Sequence, residues 1–335
     1  MLNGILGSIH LDTILKKSLS SPHLNIAPRF YRNTMIIVYC FIGPLPSYAM
    51  DTVHQTRLFY KGPIYFIIND LESPHLATLR SYNVELVPYN DLKDDTFHEC
   101  IKEHNSKFAV VEGLKGRENL FVYAFERFFV LYHAMKQMKW VDVLFLELDN
   151  LIYDEPLKWE ESFSSKPMAF MYDNVKRCAS GICYIQTPDI LFEFTRCCLE
   201  YIQETDTSNS FMTEMQALYS FWMKNTEKVQ LIPIHWPNEN VPPETYENYH
   251  RYKKTIFDAA AIGVYIAGVD PFHTNGLIRT GLHCIWSIIN YTYYKYEWKE
   301  DQEGRLIPYV LNKDKWIRIN NLHIHSKNLK PYVSK

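Results

Sequence analysis

Glu147 and Asp149 are two carboxylates one residue apart, directly after the run Val141-Asp142-Val143-Leu144-Phe145-Leu146. On a strand, residues i and i+2 face the same way, so both acids can point at one cation. Two hard oxygen donors at the carboxyl end of a central strand suit Mg²⁺ or Mn²⁺ bound together with phosphate oxygens. Such an ion neutralises a diphosphate and stabilises the charge on a departing nucleotide. The competing reading is structural: Glu147 satisfies local backbone donors and Asp149 opens the turn towards Asp154. A second group stands late in the chain, Asn320-Asn321-Leu322-His323-Ile324-His325-Ser326-Lys327. His323 and His325 are again i and i+2, so on an extended segment one imidazole can complete a site begun by the acids. A mixed nitrogen and oxygen set tilts preference from Mg²⁺ towards Mn²⁺, and a two-histidine, one-carboxylate iron site lacks a specific spacing here. Lys327 is a donor for a phosphate. For either histidine taken singly, a hydrogen-bonded strand residue is the default reading.

The elements that must position these groups follow an alternating pattern. Met35–Phe41, Ile64–Ile68 and Val84–Val87 read as buried strands, with Phe108–Val111 as a short further one. Ala124, Phe128, Leu131, Met135 and Met138 recur at helical spacing and lead into the strand before Glu147. Pro167–Tyr172 and Gly181–Ile185 extend the sheet. Helices at 190–202 and 213–223 pack on it, the second opened by the capping-box pair Thr213 and Gln216. His235–Pro243 is a proline-rich loop, Phe257–Val269 is small and apolar, and Tyr293–Ile319 reads as a hairpin around Asp301–Gly304. The pattern predicts an α/β domain with a mostly parallel central sheet flanked by helices and a C-terminal hairpin extension. Residues 1–34, rich in turn formers, read as a loosely ordered leader, and 35–330 as one domain.

Composition narrows the class. The chain has 335 residues, 35 Lys plus Arg against 38 Asp plus Glu, and 47% hydrophobic residues. This is an ordinary globular mixture with no charge excess to attract nucleic acid or an anionic membrane. The seven cysteines are irregularly spaced without a Cys-x-x-Cys pair, which predicts reduced thiols in a cytoplasmic protein. No early run is long enough to predict a membrane span, and none has the layout of a secretion signal.

The order of these motifs resembles GT-A-fold, Rossmann-like glycosyltransferases: strand, Glu147-Leu148-Asp149, Ala179-Ser180-Gly181-Ile182-Cys183-Tyr184-Ile185, Thr213-Glu214-Met215, and a late His323 or His325. Phe257–Gly263 and Asn321–Lys327 look like a cytosolic subgroup associated with large DNA viruses and some bacteria. The resemblance covers roughly residues 35–330 and departs from the usual Asp-x-Asp in having Glu147 first. It implies metal-dependent transfer of a sugar from a nucleotide diphosphate sugar, UDP-linked and with a pentose such as xylose as the guess, to a hydroxyl of a glycan or glycoprotein. It also implies a nucleotide-sugar half at 35–150 and an acceptor half at 151–330.

Further roles come with the resemblance. Gly43-Pro44-Leu45-Pro46, Gln55 and Arg57 resemble the part that receives base and ribose, with Arg57 equally readable as a solvated helix residue. Arg127, beside the buried stripe of its helix, needs a partner, either a donor phosphate or ribose or a structural carboxylate. Inversion needs a base: Glu214 is the first choice and Asp258 the second, although an acid at a helix start is also favoured by the dipole. Trp236 can stack on a sugar or in the core, Asp270 can serve the acceptor or only a turn, and His273 can contact the acceptor. Two alternatives share some of these features. A sugar-phosphate nucleotidyltransferase usually shows a Gly-rich basic loop, which Gly43–Pro46 lacks, and a non-catalytic glycan-binding or virion protein would not need the acid pair.

Overall fold

The computed structural model describes residues 35–108, 119–206, 212–270, 278–279, 283–284 and 287–335. The reading of residues 1–34 as a leader lies outside them. Eight strands precede the C-terminal extension: β1 (Ile36–Phe41), β2 (Ile64–Ile68), β3 (Val84–Pro88), β4 (Val143–Leu146), β5 (Asn150–Ile152), β6 (Met168–Asn174), β7 (Arg177–Ile185) and β8 (Val229–Ile232). All but β5 form one sheet in the order β3-β2-β1-β4-β7-β6-β8. Every neighbouring pair is parallel except those of β7, which runs antiparallel to β4 and β6. The sheet is therefore mixed and mostly parallel, as the alternating pattern predicts. β2 and β4 are buried along their whole length, as strands covered on both faces must be.

Among the described residues, the α-helices longer than four residues are α1 (Ala49–Phe59), α2 (Leu76–Ser81), α3 (Asp95–His104), α4 (Leu120–Met138), α5 (Pro188–Glu204), α6 (Glu214–Lys224), α7 (Glu244–Arg251) and α8 (Ala261–Ala267). Ala124, Phe128, Leu131 and Met135 of α4 are buried as their spacing requires. Phe128 meets Phe194 of α5 edge to face at 4.9 Å. Lys139, at φ 53°, ends α4 in a left-handed conformation. The capping box of α6 is formed, with the Thr213 N–H donating to Gln216 Oε1 at 3.0 Å.

Three elements differ from the sequence reading. β4 starts at Val143, because Asp142 takes φ 53° and Val141 is turned to solvent. Phe108 closes a 3₁₀ turn (Asn105–Phe108), and the rest of the short strand expected there lies outside the described residues. The expected C-terminal hairpin gains a third strand: β11 (Tyr296–Glu300), β12 (Leu306–Asn312) and β13 (Lys315–Arg318) form an antiparallel meander, after the small pair β9 (Ile278–Arg279) and β10 (His283–Cys284).

The last strand, β14 (Asn321–His323), pairs antiparallel with β5, so His323 stands opposite Asn150. No described helix is long and apolar enough to cross a membrane. Cys40, Cys100, Cys178, Cys183, Cys197 and Cys198 are all buried and free.

Candidate functional site

Strand direction decides where the chemistry collects. The carboxyl ends of β1, β2, β4, β6 and β8 share one edge of the sheet, which is where open α/β sheets take ligands. Gly43 follows β1, Asn69 and Asp70 follow β2, Glu147 follows β4, Asp173 closes β6 and Trp236 follows β8. The Gly43 N–H donates to Asn69 Oδ1 at 2.8 Å and the Leu45 N–H to Asp70 Oδ2 at 2.9 Å, which tie the Gly43-Pro44 loop to that edge.

Glu147 and Asp149 do converge, but through a turn and not a continued strand. The Asn150 N–H donates to the Glu147 carbonyl at 3.0 Å, and the Glu147 N–H to the Gly181 carbonyl at 3.1 Å. The β5–β14 pairing then brings the far end of the chain against the turn, with the Ile324 N–H on the Asp149 carbonyl at 2.8 Å. One ligand atom from each of Glu147, Asp149 and His323 lies within 4.8 Å of the others. His323 Nε2 is 3.1 Å from Asp149 Oδ2 and 3.8 Å from Glu147 Oε2.

Two oxygens and one imidazole nitrogen at this spacing fit a divalent cation of the Mg²⁺ or Mn²⁺ type. Cationic side chains also meet the acids. Lys327 donates to Asp149, and Arg127 Nη2 to Glu147 Oε1 at 2.9 Å. These contacts leave Glu147 Oε2 facing His323. The Lys327 side chain is 27% exposed on a flexible stem, so its ammonium can swing from Asp149 to an anionic ligand.

Close packing under the cluster explains two glycines. A Cβ at Gly263 would overlap the His323 carbonyl, and one at Gly181 would overlap the Asn150 side chain.

The electrostatics are those of buried, paired charges. Burial alone would raise the Asp149 pKa, yet His323 and Lys327 hold it well below the ordinary carboxylate range. Burial also opposes charge on His323, but Asp149 and Glu147 lift its pKa to about 9. Arg127 reaches a second acid, Glu214 Oε1, at 3.6 Å. Burial raises the Glu214 pKa and nearby Glu147 adds to the rise, while Arg127 opposes it.

Other residues singled out in the sequence are engaged elsewhere. Gln55 is fully buried and holds the C-terminus, its Nε2 donating to the Ile152 carbonyl at 2.7 Å and its Oε1 accepting from the Ser334 N–H at 2.8 Å. Arg57 lies in the last turn of α1, after the chain has run back to the opposite end of the sheet. There its guanidinium donates to the carbonyls of Tyr82, Gly62 and Asn83 at 2.6–2.8 Å. Asp258 accepts from the backbone N–H groups of Ala260, Ile262, Gly263 and His323 at 2.8–3.0 Å. It is 1% exposed and fastens α8 to β14, so both its oxygens are already occupied.

His325 does not share the face of His323. The strand ends at His323, the His325 N–H donates back to the His323 carbonyl at 3.0 Å, and Lys327 sits at φ 63°. His325 Nδ1 accepts from the Asp270 N–H at 3.1 Å, and the same turn returns Lys327 to Asp149. Asp270 is buried beside that contact, and His273 lies outside the described residues.

Several contributors carried a readable signal that the sequence reading did not use. Asp173 ends the apolar strand β6 just as Glu147 follows β4, pairs with Arg177 at 2.9 Å, and has its carboxyl pushed by burial to about 6. Ser180 donates to Glu147 Oε1 at 3.0 Å. Asn321 Nδ2 donates to Asn150 Oδ1 at 2.6 Å, which joins the two strands beneath the cluster. An amide pair directly before the histidines is costly to bury without such partners.

At the far side of the edge, Trp236 is half-buried, its ring 3.7 Å from that of His235. Burial pushes the His235 pKa down to about 4. A histidine depressed in the fold contributes stability above its unfolded pKa of about 6.5 that is lost as pH falls towards the folded value. Wild type should therefore lose roughly 3 kcal/mol more than His235→Gln between pH 7 and pH 4. Urea unfolding across that range checks this, and parallel pH profiles would refute it.

No family model matches the sequence, and no curated protein does. Solved structures to which the chain is similar include three glycosyltransferases. Mouse xyloside xylosyltransferase 1 aligns at TM-score 0.44 and 10% identity, over 66% of this chain and 94% of that one. GlyE of Streptococcus pneumoniae TIGR4 aligns at TM-score 0.37 and 12% identity, over 60% and 45%. The PaToxG glycosyltransferase aligns at TM-score 0.35 and 13% identity, over 65% and 85%.

Proposed function

We propose that this protein is a metal-dependent glycosyltransferase of the GT-A kind, moving a sugar from a nucleotide diphosphate donor to a glycan hydroxyl. The observation that carries the reading is the meeting of Glu147, Asp149 and His323 at the carboxyl edge of the central sheet, with Lys327 and Arg127 beside them. Glu147, Asp149 and His323 would hold the cation, which supplies charge neutralisation to the diphosphate when bound. Lys327 leaves Asp149 for a phosphate oxygen, and Arg127 keeps Glu147 and Glu214 oriented. The Gly43-Pro44 loop receives base and ribose, so residues 35–150 serve mainly the donor and 151–330 the acceptor, with Trp236 and Asp270 on the acceptor side.

For an inverting course, Glu214 takes the proton of the attacking hydroxyl as the bond from the sugar's anomeric carbon to the diphosphate breaks. Its raised pKa suits that exchange. The donor we favour is UDP-linked, with a pentose such as xylose as the first to try.

A panel of nucleotide sugars, each with Mn²⁺, Mg²⁺ or EDTA, tests this by thermal shift. A donor present at 100 times its dissociation constant stabilises the folded state by about 2.7 kcal/mol. One donor should raise the melting temperature, and only with metal. If no nucleotide sugar does so with either ion, the reading fails. Release of pyrophosphate from a nucleoside triphosphate and sugar phosphate would replace it with nucleotidyl transfer.

A further inference from the structure

A cleft of about 640 Å³ opens between α8 and the C-terminal meander, lined by Tyr265, Tyr294, Lys295, Tyr296, Glu297 and Trp316. The four aromatic side chains are half-buried, so each keeps part of its ring accessible, while Lys295 and Glu297 are exposed. The rings of Tyr265 and Tyr296 lie 5.6 Å apart at 46°. Lys299 sits 4.4 Å from the centre of the Trp316 ring and 3.6 Å from the Glu297 carboxylate, contacts that orient the indole. A core does not need this arrangement, because the meander already buries Ile307, Val310 and Ile317.

We infer that this cleft is a subsite for an oligosaccharide, holding the part of the acceptor remote from the reacting hydroxyl. A pyranose offers flat C–H faces ringed by hydroxyls. Tyrosine and tryptophan rings cover such faces, and their O–H and N–H groups, with one ammonium and one carboxylate, answer the hydroxyls. Glu297 offsets Lys295 at the rim and pairs with Lys299, so the local charge nearly balances, which suits a neutral ligand better than a nucleotide or phosphorylated lipid. The volume lies within the usual range for small-ligand sites.

Tyr294, which lines the cleft, also touches the residues assigned to the acceptor side. Tyr294 Oη is 3.2 Å from His235 Nε2, and its ring meets that of Trp236 edge to face at 5.1 Å. On the other wall, Ile266 of α8 is three residues, about 4.5 Å along the axis, beyond Gly263, which lies against the His323 carbonyl. On this assignment the acceptor's remote sugars lie in the cleft and its nearer ones beside Trp236. This assignment rests on the glycosyltransferase reading for its purpose, and its test is independent of turnover.

Saturation-transfer NMR and calorimetry with xylotetraose, cellotetraose, maltotetraose and mannotetraose, without any nucleotide, test it. At least one tetrasaccharide should bind the full chain. Trp316→Ala and Tyr265→Ala should each weaken that binding about tenfold, and Trp316→Phe should largely restore it. Melting curves establish that each variant is folded, and the two alanine variants lie on separate elements, so loss of one leaves the other informative. Failure of all four sugars to bind, or equal binding by wild type and both alanine variants, overturns the inference. Metal-dependent stabilisation by a nucleotide sugar in that case leaves the glycosyltransferase reading intact. Tetrasaccharide binding without any response to nucleotide sugars does the opposite, removing the transferase reading and keeping the cleft.

Discussion

Asp149→Ala is expected to lower transfer from the nucleotide sugar by on the order of a thousandfold, the scale of removing a charge that stabilises the leaving group. The fold should survive the change. Asp149 holds β14 through its main-chain carbonyl, which alanine keeps. Its two cationic neighbours also have ways to relax. Lys327 can turn to solvent, and His323, whose pKa is lifted to about 9 chiefly by this acid, can shed its proton. Asp149→Asn should behave like alanine, because it preserves size and loses charge. In both variants the rise in melting temperature with Mn²⁺ should vanish, while the far-ultraviolet spectrum stays as in wild type. Undiminished turnover by Asp149→Ala would remove the metal from the mechanism.

Arg127→Met should produce the largest loss of stability. The guanidinium is the cation between Glu147 and Glu214, at 2.9 and 3.6 Å, and it lies against Phe145 with little exposure. Without it the buried Glu214 carboxylate and the half-buried Glu147 lose their shared cation, a cost of about 3–5 kcal/mol at neutral pH. The pH dependence has a definite sign. Burial and Glu147 already raise the Glu214 pKa, and loss of Arg127 removes the main opposing influence. A carboxyl whose folded pKa exceeds its unfolded one is relatively favourable when protonated, and that advantage disappears as pH rises through the folded value. The deficit of Arg127→Met should accordingly be smaller near pH 4.5 than at pH 8. Adding Glu214→Gln should recover part of it at pH 8. Denaturant unfolding of the single and double variants measures this. A single variant as stable as wild type at pH 8 would mean that the acids do not depend on the guanidinium.

The transferase reading and the cleft divide the chemistry between the sheet edge and the surface where α8 meets the meander. The charged cluster sits where the parallel strands stop, and the aromatic surface is built by the appended meander. Each can be perturbed without touching the other.

Much of this was written in local sequence. The strands appear as short apolar runs and α4 as a helical stripe, because a chain covered on both faces or on one must place apolar residues at those periods. The acid pair, the late histidines and the capping box of α6 were legible for the same reason: each depends on residues within a few positions. Gln55 and Arg57 were not, since their partners are Ser334, Ile152, Tyr82 and Asn83, brought near only by folding. Asp258 read as the second choice of base, and four backbone N–H groups, one of them from His323, make it a clasp instead. Asp173 stood at a strand end with the same signal as Glu147.

The sequence by itself determined the class of fold, the run of elements and the kind of donor atoms on offer, because periodicity and residue type are local properties. Only the tertiary structure decided that His323 and not His325 joins Glu147 and Asp149, that Lys327 returns to the same acid, and that four distant aromatic residues line one cleft. The first two choices follow from strand pairing across 173 positions, Asn150 against His323, and from the turn after β14, and no spacing within a short segment encodes such a register.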